Sequence, residues 1–346
     1  MIVKYFNDMG FRKTIKKPES KENKVCFENF TNLSISTLSK NFFLNEKYYY
    51  ELNDAVILGS RSCLKDDQLF MDLPIEWGLA QIGSYINRVK QTHKNREFKF
   101  LSDVDCERAG YATLELNRSC MKILEPSVFV GSVESWNFGF FSSVILSKIF
   151  IADQIFPELP VIVPITKTWQ IEMLKYFFPN KKYVFYDPEQ NIDVSNIKVI
   201  GWPNFPFYLD EKFIEAVRAK NEMRCPFFPG RKIFFSRRKF KGGKDRVVFS
   251  SREEELLLRK GYMPLYPEEL NLQTLHKIIS SCSHIALESG SALFNGILSK
   301  SNAEIILFES RSEFLNNHAM YLSSVTDRAK IYFCDESSIF NAIESI

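Results

Sequence analysis

Apolar residues in this chain gather into short runs, separated by glycine-bearing or polar stretches and by longer segments whose apolar positions recur at helical spacing. Ile233-Phe234-Phe235 is too short for a helix and predicts a buried strand. It runs into a block of cations, Arg237, Arg238, Lys239, Lys241, Lys244 and Arg246, with Gly242 and Gly243 loosening the backbone between them. Ser250 and Ser251, followed by Glu253, Glu254 and Glu255 and then leucines, predict a capped helix start, and Gly261 its end. Leu275, Ile278 and Ile279 mark a second helix, and residues 284–299 read as strand, glycine turn and helix. Upstream, strands are expected at 55–59, 68–73, 127–131, 159–164, 183–186 and 197–200. Helices are expected at 77–89, from the 134–141 segment to about 156, at 168–177 and at 210–223, and a last one at 337–346.

Short strands alternating with helices imply parallel sheets covered on both faces. The rhythm occurs once before residue 201 and again after Lys232. Two domains follow, 1–209 and 210–346, divided by a Pro- and Gly-rich connection around Trp202-Pro203 and a polar helix. The polar arm 1–47 reads as a surface loop.

Gly290 stands at a strand-to-helix turn between Ser289 and Ser291. Open backbone N–H groups and the helix dipole favour an anion at such a turn. The cationic loop after the preceding strand would lie at the same carboxyl edge of a parallel sheet, where ligands of open α/β sheets bind. The pair suggests a diphosphate held between a glycine turn and arginine side chains. An ordinary helix start and a solvated cationic loop are the competing structural reading.

Composition narrows the alternatives. The 346 residues, 45% hydrophobic and 25% charged, suffice for two globular domains. A net charge of +3 argues against a dedicated nucleic-acid binder. The seven cysteines are dispersed, without two-residue spacing, and fit a reducing compartment. His93, His276, His284 and His318 show no zinc spacing, and neither a signal-peptide pattern nor a run of eighteen apolar residues occurs. A cytoplasmic protein is expected, with peripheral association at the inner membrane face open to it through its basic arm. No Gly-x-Gly-x-x-Gly stands early in the chain, which argues against an NAD enzyme.

The order Ser236-Arg237, Arg246, Glu253 to Glu255, Gly261-Tyr262, Pro267-Glu268 and Ser289-Gly290-Ser291-Ala292-Leu293-Phe294-Asn295 resembles the glycosyltransferase family 61 domain. That domain is also known from capsular-polysaccharide enzymes and from eukaryotic xylosyl- and N-acetylglucosaminyltransferases. The resemblance covers the last third of the chain well and the middle third loosely. It implies a GT-B fold, two Rossmann-like domains with parallel sheets facing a central cleft, the last helix of which can return to the first domain. It also implies an inverting hexosyl- or pentosyltransferase of polysaccharide biosynthesis. Such an enzyme takes a nucleotide-sugar donor, here expected to be UDP-linked, and a glycan or lipid-linked glycan acceptor, with no further cofactor. Two positions depart from the family: Ser250 or Ser251 replaces an asparagine at the acidic helix start, and Ser289 a histidine before the loop glycine.

Transfer without a metal needs cations at the leaving diphosphate, and arginine offers a fork of donors matched to phosphate oxygens. Arg237, Arg246 and the loop Ser289, Gly290 and Ser291 are the candidates, with Asn295 closing the motif. Glu288 and, less directly, Glu268 are placed to accept hydrogen bonds from ribose or sugar hydroxyls. No metal site is expected: Asp103-Val104-Asp105 is the only Asp-x-Asp, and a solvated loop explains it. On the acceptor side, Trp136-Asn137-Phe138-Gly139 is similar to a first-domain family segment in which a histidine follows, yet Phe140 stands there. A phenylalanine takes no proton. Either a carboxylate serves as base, with Glu134 ranked first and Asp105 and Glu107 behind it, or the acceptor differs from the family's. Alternatively, the protein is a degenerate transferase that binds a nucleotide sugar or polysaccharide as a regulator.

Overall fold

The structure, a computed structural model, describes residues 2–5, 12–16, 19–31, 38, 41–44, 47–58, 62–65, 68–71, 111–113, 121–132, 135–188, 190–201, 208–220, 230–238 and 249–346. Among them the chain is mixed α/β with largely parallel sheets, divided into two compact units, 1–19 with 45–205 and 20–44 with 206–346. The chain passes between the units at 205/206 rather than 209/210, and residues 20–44 group with the second unit instead of the first.

In the first unit the strands Tyr183–Tyr186, Val161–Pro164, Ser127–Phe129 and Ile192–Ile200 lie side by side and parallel. The sheet continues antiparallel through Lys47–Leu58, Ser62–Lys65 and Gln68–Met71. The expected all-parallel sheet is therefore corrected to a mixed one. Residues 55–58 belong to a twelve-residue strand that folds back in successive hairpins, which need no helical crossover. Tyr48, Tyr50, Leu52, Ala55 and Ile57 of that strand pack with Val194, Ile197 and Val199 in one core, the two-residue alternation shifting at Asp54, whose φ is 51°. The long apolar helix is helical from Phe138 to Ile155 but opens to π geometry over Phe141–Ile145. It is long and apolar enough to cross a membrane, yet 67% of it is buried within the protein, as a core helix would be.

The second unit holds the strands β1 (Cys26–Asn29), β2 (Lys232–Phe235), β3 (Tyr262–Leu265), β4 (His284–Glu288), β5 (Glu304–Glu309) and β6 (Ala329–Phe333). Its helices are α1 (Glu211–Ala219), α2 (Ser251–Arg259), α3 (Leu272–Ile279), α4 (Leu315–Val325) and α5 (Ile339–Glu344). All six strands are parallel, in the order β3-β2-β4-β5-β6-β1. Inner strands read as continuous apolar runs because both faces are covered. Phe234, Ala286, Ile306, Phe308 and Tyr332 face Leu257 of α2 and Ile339, Ala342 and Ile343 of α5. The last helix thus packs in the second unit, because its apolar stripe completes this core. On the other face, Ile305 lies against the turn at Gly296, beside Tyr321 of α4.

Local chemistry sets the ends of α2. The Ser250 side chain accepts from the Arg252 N–H, and Glu253 reaches back to the Ser250 N–H at 2.8 Å, the expected capping box. Gly261, at φ 82°, carries the chain out of the helix in a conformation that disfavours a side chain.

Candidate functional site

Winding reverses between β2 and β4: from β2 the chain goes to β3 on one side and then back past β2 to β4, β5 and β6. The carboxyl ends of two such neighbouring strands splay their loops apart, which makes a ligand crevice in open α/β sheets. Ser236, Arg237 and Arg238 leave β2 at that point, and Ser289 and Gly290 leave β4.

Each side chain there is tied to the sheet. Ser236 receives a backbone tether, its N–H donating to the Leu265 carbonyl at 3.0 Å. Its hydroxyl donates to Glu254 Oε1 at 2.6 Å, and Arg238 Nε lies 2.7 Å from the other oxygen of the same carboxylate. Glu254 sits in the first turn of α2, where the helix dipole also favours negative charge. Arg237, half-buried, places Nε 3.6 Å from Glu288 Oε2.

Glu288 is the centre of this cluster. It ends β4 at 2% exposure and accepts a hydrogen bond from the Phe249 N–H on Oε1, while Oε2 has no hydrogen-bond partner among the described residues. The Phe249 ring is wedged edge-to-face between Phe234 and Phe308, so the donor is fixed. Burial pushes the Glu288 carboxyl up to about 7, against the pull of the Phe249 N–H and of Arg237. The nearby charges of Glu254 and Glu253 add to the rise. A buried acceptor without a donor costs about 1–3 kcal/mol, a penalty that a ligand hydroxyl would remove.

Gly290 follows at φ 133° and ψ −166°, a backbone region open essentially to glycine alone. The segment after it corrects the expected α-helix: Ser291–Leu298 is a 3-10 helix, closed by the Leu293 N–H on the Gly290 carbonyl at 3.0 Å. Its tighter, poorer hydrogen bonds give a weaker axial field than the expected α-helix would. Asn295 is buried and donates to the Ala292 carbonyl at 3.0 Å, and its Oδ1 has no hydrogen-bond partner among the described residues. Ser291 is half-buried at the start of the same segment. Glu268 is exposed on the short turn Pro267–Glu269 after the edge strand β3.

Arg246, Glu134, Asp105 and Glu107 lie outside the described residues. In the first unit, Asn137 caps the helix start by accepting from the Gly139 N–H at 2.8 Å, and Trp136 beside it is 39% exposed. Phe140, at the position of the family's histidine, is half-buried in that helix. Here too a winding reversal falls between neighbouring strands, Ser127–Phe129 and Ile192–Ile200. Beyond them lie Gly131 and Gly201, the latter closed to any side chain by the Tyr48 ring. The wholly buried Lys148 donates from Nζ to the Gly131 carbonyl at 2.6 Å and fixes this loop from below.

Two residues of this cluster go beyond the sequence reading. Glu254 is there only one of the acids Glu253 to Glu255 at the helix start. Arg311 is a lone cation after β5, yet its Nη2 donates to Ser289 Oγ at 2.6 Å. Among the described residues no group of three His, Cys, Asp or Glu side chains is placed to hold a metal ion. No protein-family model matches the chain, and no curated protein matches it. The resemblance to glycosyltransferase family 61 therefore rests on the motif residues themselves.

Proposed function

We propose that the protein is a glycosyltransferase of GT-B type that moves a sugar from a nucleotide-sugar donor, UDP-linked in the first instance, to a glycan acceptor. The observation that carries this reading is Glu288: a buried carboxylate whose Oε2, 3.6 Å from Arg237 Nε, has no hydrogen-bond partner among the described residues, next to the Gly290 turn at the winding reversal of a parallel sheet. Arg237 supplies fixed positive charge where the diphosphate leaves, and stays charged at any working pH. Glu288 accepts from a hydroxyl of the donor. The Ser289–Gly290 turn lets phosphate oxygens approach the backbone, since no Cβ stands in the way. On the acceptor side the reading keeps Glu134 as general base, with Asp105 next.

The test is calorimetric titration of UDP, GDP and CMP, followed by a donor-hydrolysis assay, on wild type, Arg237→Ala and Lys220→Ala. A charge-assisted phosphate contact is worth roughly 1.5–3 kcal/mol, so Arg237→Ala should lose about ten- to a hundredfold in affinity or turnover. Lys220, exposed at the end of α1, should lose nothing. Equal small effects at both positions would sink the reading. The second reading, a nucleotide-sugar-binding regulator, is favoured by one feature, Phe140 where a base is expected. Tight diphosphate binding without any hydrolysis or transfer would select it.

A further inference from the structure

We infer that Arg311 is a second arginine that grips the diphosphate, from the opposite side of the Gly290 turn to Arg237; the inference rests on the nucleotide-sugar reading. β4, which carries the turn, lies between β2 and β5, so the residues leaving these three strands emerge side by side on one edge. Arg237 leaves β2 and Arg311 leaves β5, which places one guanidinium on either flank of Ser289 and Gly290.

Arg311 also stands in a frame of its own. Its Nη2 is on Ser289 Oγ at 2.6 Å, its Nε is 3.6 Å from Glu309 Oε1, and its guanidinium carbon lies 4.2 Å from the centre of the Phe314 ring. Its backbone N–H donates to the same Glu309 oxygen at 2.9 Å. Glu309 is fully buried and is itself held by His318, whose ring stacks on Phe314 with centroids 5.8 Å apart. A long arginine side chain gives up much rotamer freedom to stand in such a frame. Bracing one serine would need a single donor, whereas a guanidinium has five. Nη1 enters no hydrogen bond among the described residues, and the side chain remains partly open to solvent at 27%. A cation held rigid on two sides and open on the third is preordered for an anion, and little entropy remains to be lost on binding.

The experiment titrates inorganic pyrophosphate and UDP into the full chain as wild type, Arg311→Gln, Arg311→Lys and Arg237→Gln, with a melting curve for each. Arg311→Gln should weaken pyrophosphate at least tenfold at an unchanged melting temperature, and Arg311→Lys, which keeps the charge and loses the fork, should retain part of the affinity. If Arg311→Gln unfolds, the lysine variant alone decides, since a threefold or greater loss at a native melting temperature is expected of it. Wild-type affinity in Arg311→Gln, or in a folded Arg311→Lys when the glutamine variant cannot be read, overturns the inference. So does equal loss in both arginine-311 variants. If Arg237→Gln abolishes binding while Arg311→Gln leaves it intact, Arg311 is a brace and the nucleotide-sugar reading stands. If the wild type binds neither pyrophosphate nor UDP, that reading falls and takes this inference with it.

Discussion

A single buried carboxylate makes the stability of this fold depend on pH. Glu288 is raised from its ordinary value of 4.5 to about 7, chiefly by burial, so its charged form is disfavoured in the folded chain. Its stabilising contribution is complete below about 4.5 and is lost as the pH rises through about 7. The shift corresponds to a penalty on the order of 3 kcal/mol above neutrality. Glu288→Gln should therefore melt several degrees higher than wild type at pH 8 and at nearly the same temperature at pH 5, while losing donor affinity. A constant difference across that range would show that the carboxyl titrates normally. Not all of this was legible in the sequence. Glu288 stood out because it precedes a glycine turn, a local signal. Its burial and its bond to Phe249, thirty-nine residues away, come from tertiary packing, which no spacing rule carries. Arg311 left no trace for the same reason: its partners Ser289 and Phe314 come from two different strand-end loops.

Among the elements, α2 links helix chemistry to the site. Its cap, Ser250 with Glu253, lies next to Phe249, the donor to Glu288, and its first turn supplies Glu254 to Ser236 and Arg238. Loss of the cap hydroxyl in Ser250→Ala should cost about 1 kcal/mol, read as a lower midpoint in urea. Because the cap adjoins Phe249, donor affinity should fall with it; a stability loss with affinity untouched would separate the two. The cap was readable because all its atoms lie within four residues. The segment after Gly290 was not, since an eight-residue apolar stretch looks alike in α and 3-10 periodicity. Strand β1 also escaped notice. Cys-Phe-Glu-Asn is a largely exposed edge with no apolar run, and only its hydrogen bonds to β6 make it a strand.

For the whole molecule, those edge bonds matter more than the strand's small burial suggests. The Phe30 N–H donates to the Phe333 carbonyl at 2.8 Å, so by the alternation of a parallel ladder Glu28 also turns its N–H toward β6. Lys24 and Phe30 add an ion pair to Asp327 at 2.6 Å and an edge-to-face contact with Tyr332. Glu28→Pro removes a ladder donor that Glu28→Ala keeps. The proline variant should therefore unfold its second unit several degrees earlier and self-associate through the bared β6 edge, as size-exclusion chromatography with light scattering would record. Identical behaviour of the two variants would mean that the edge contributes nothing.

The same strand sets a clock on biosynthesis. Cys26 of β1 pairs with Lys330 of β6, 304 residues downstream, and the whole of the first unit's main segment is translated in between. At roughly 5–20 residues per second, the ribosome exposes β1 for about 15–60 s before its partner emerges. During that wait the nascent chain carries an orphan β-edge, of four residues with one glutamate and no valine or isoleucine. A sticky, apolar strand at that position would have had a long opportunity to pair with the wrong neighbour. The weak, polar character of β1, which hid it from the periodicity of the sequence, is what makes so late a partnership safe.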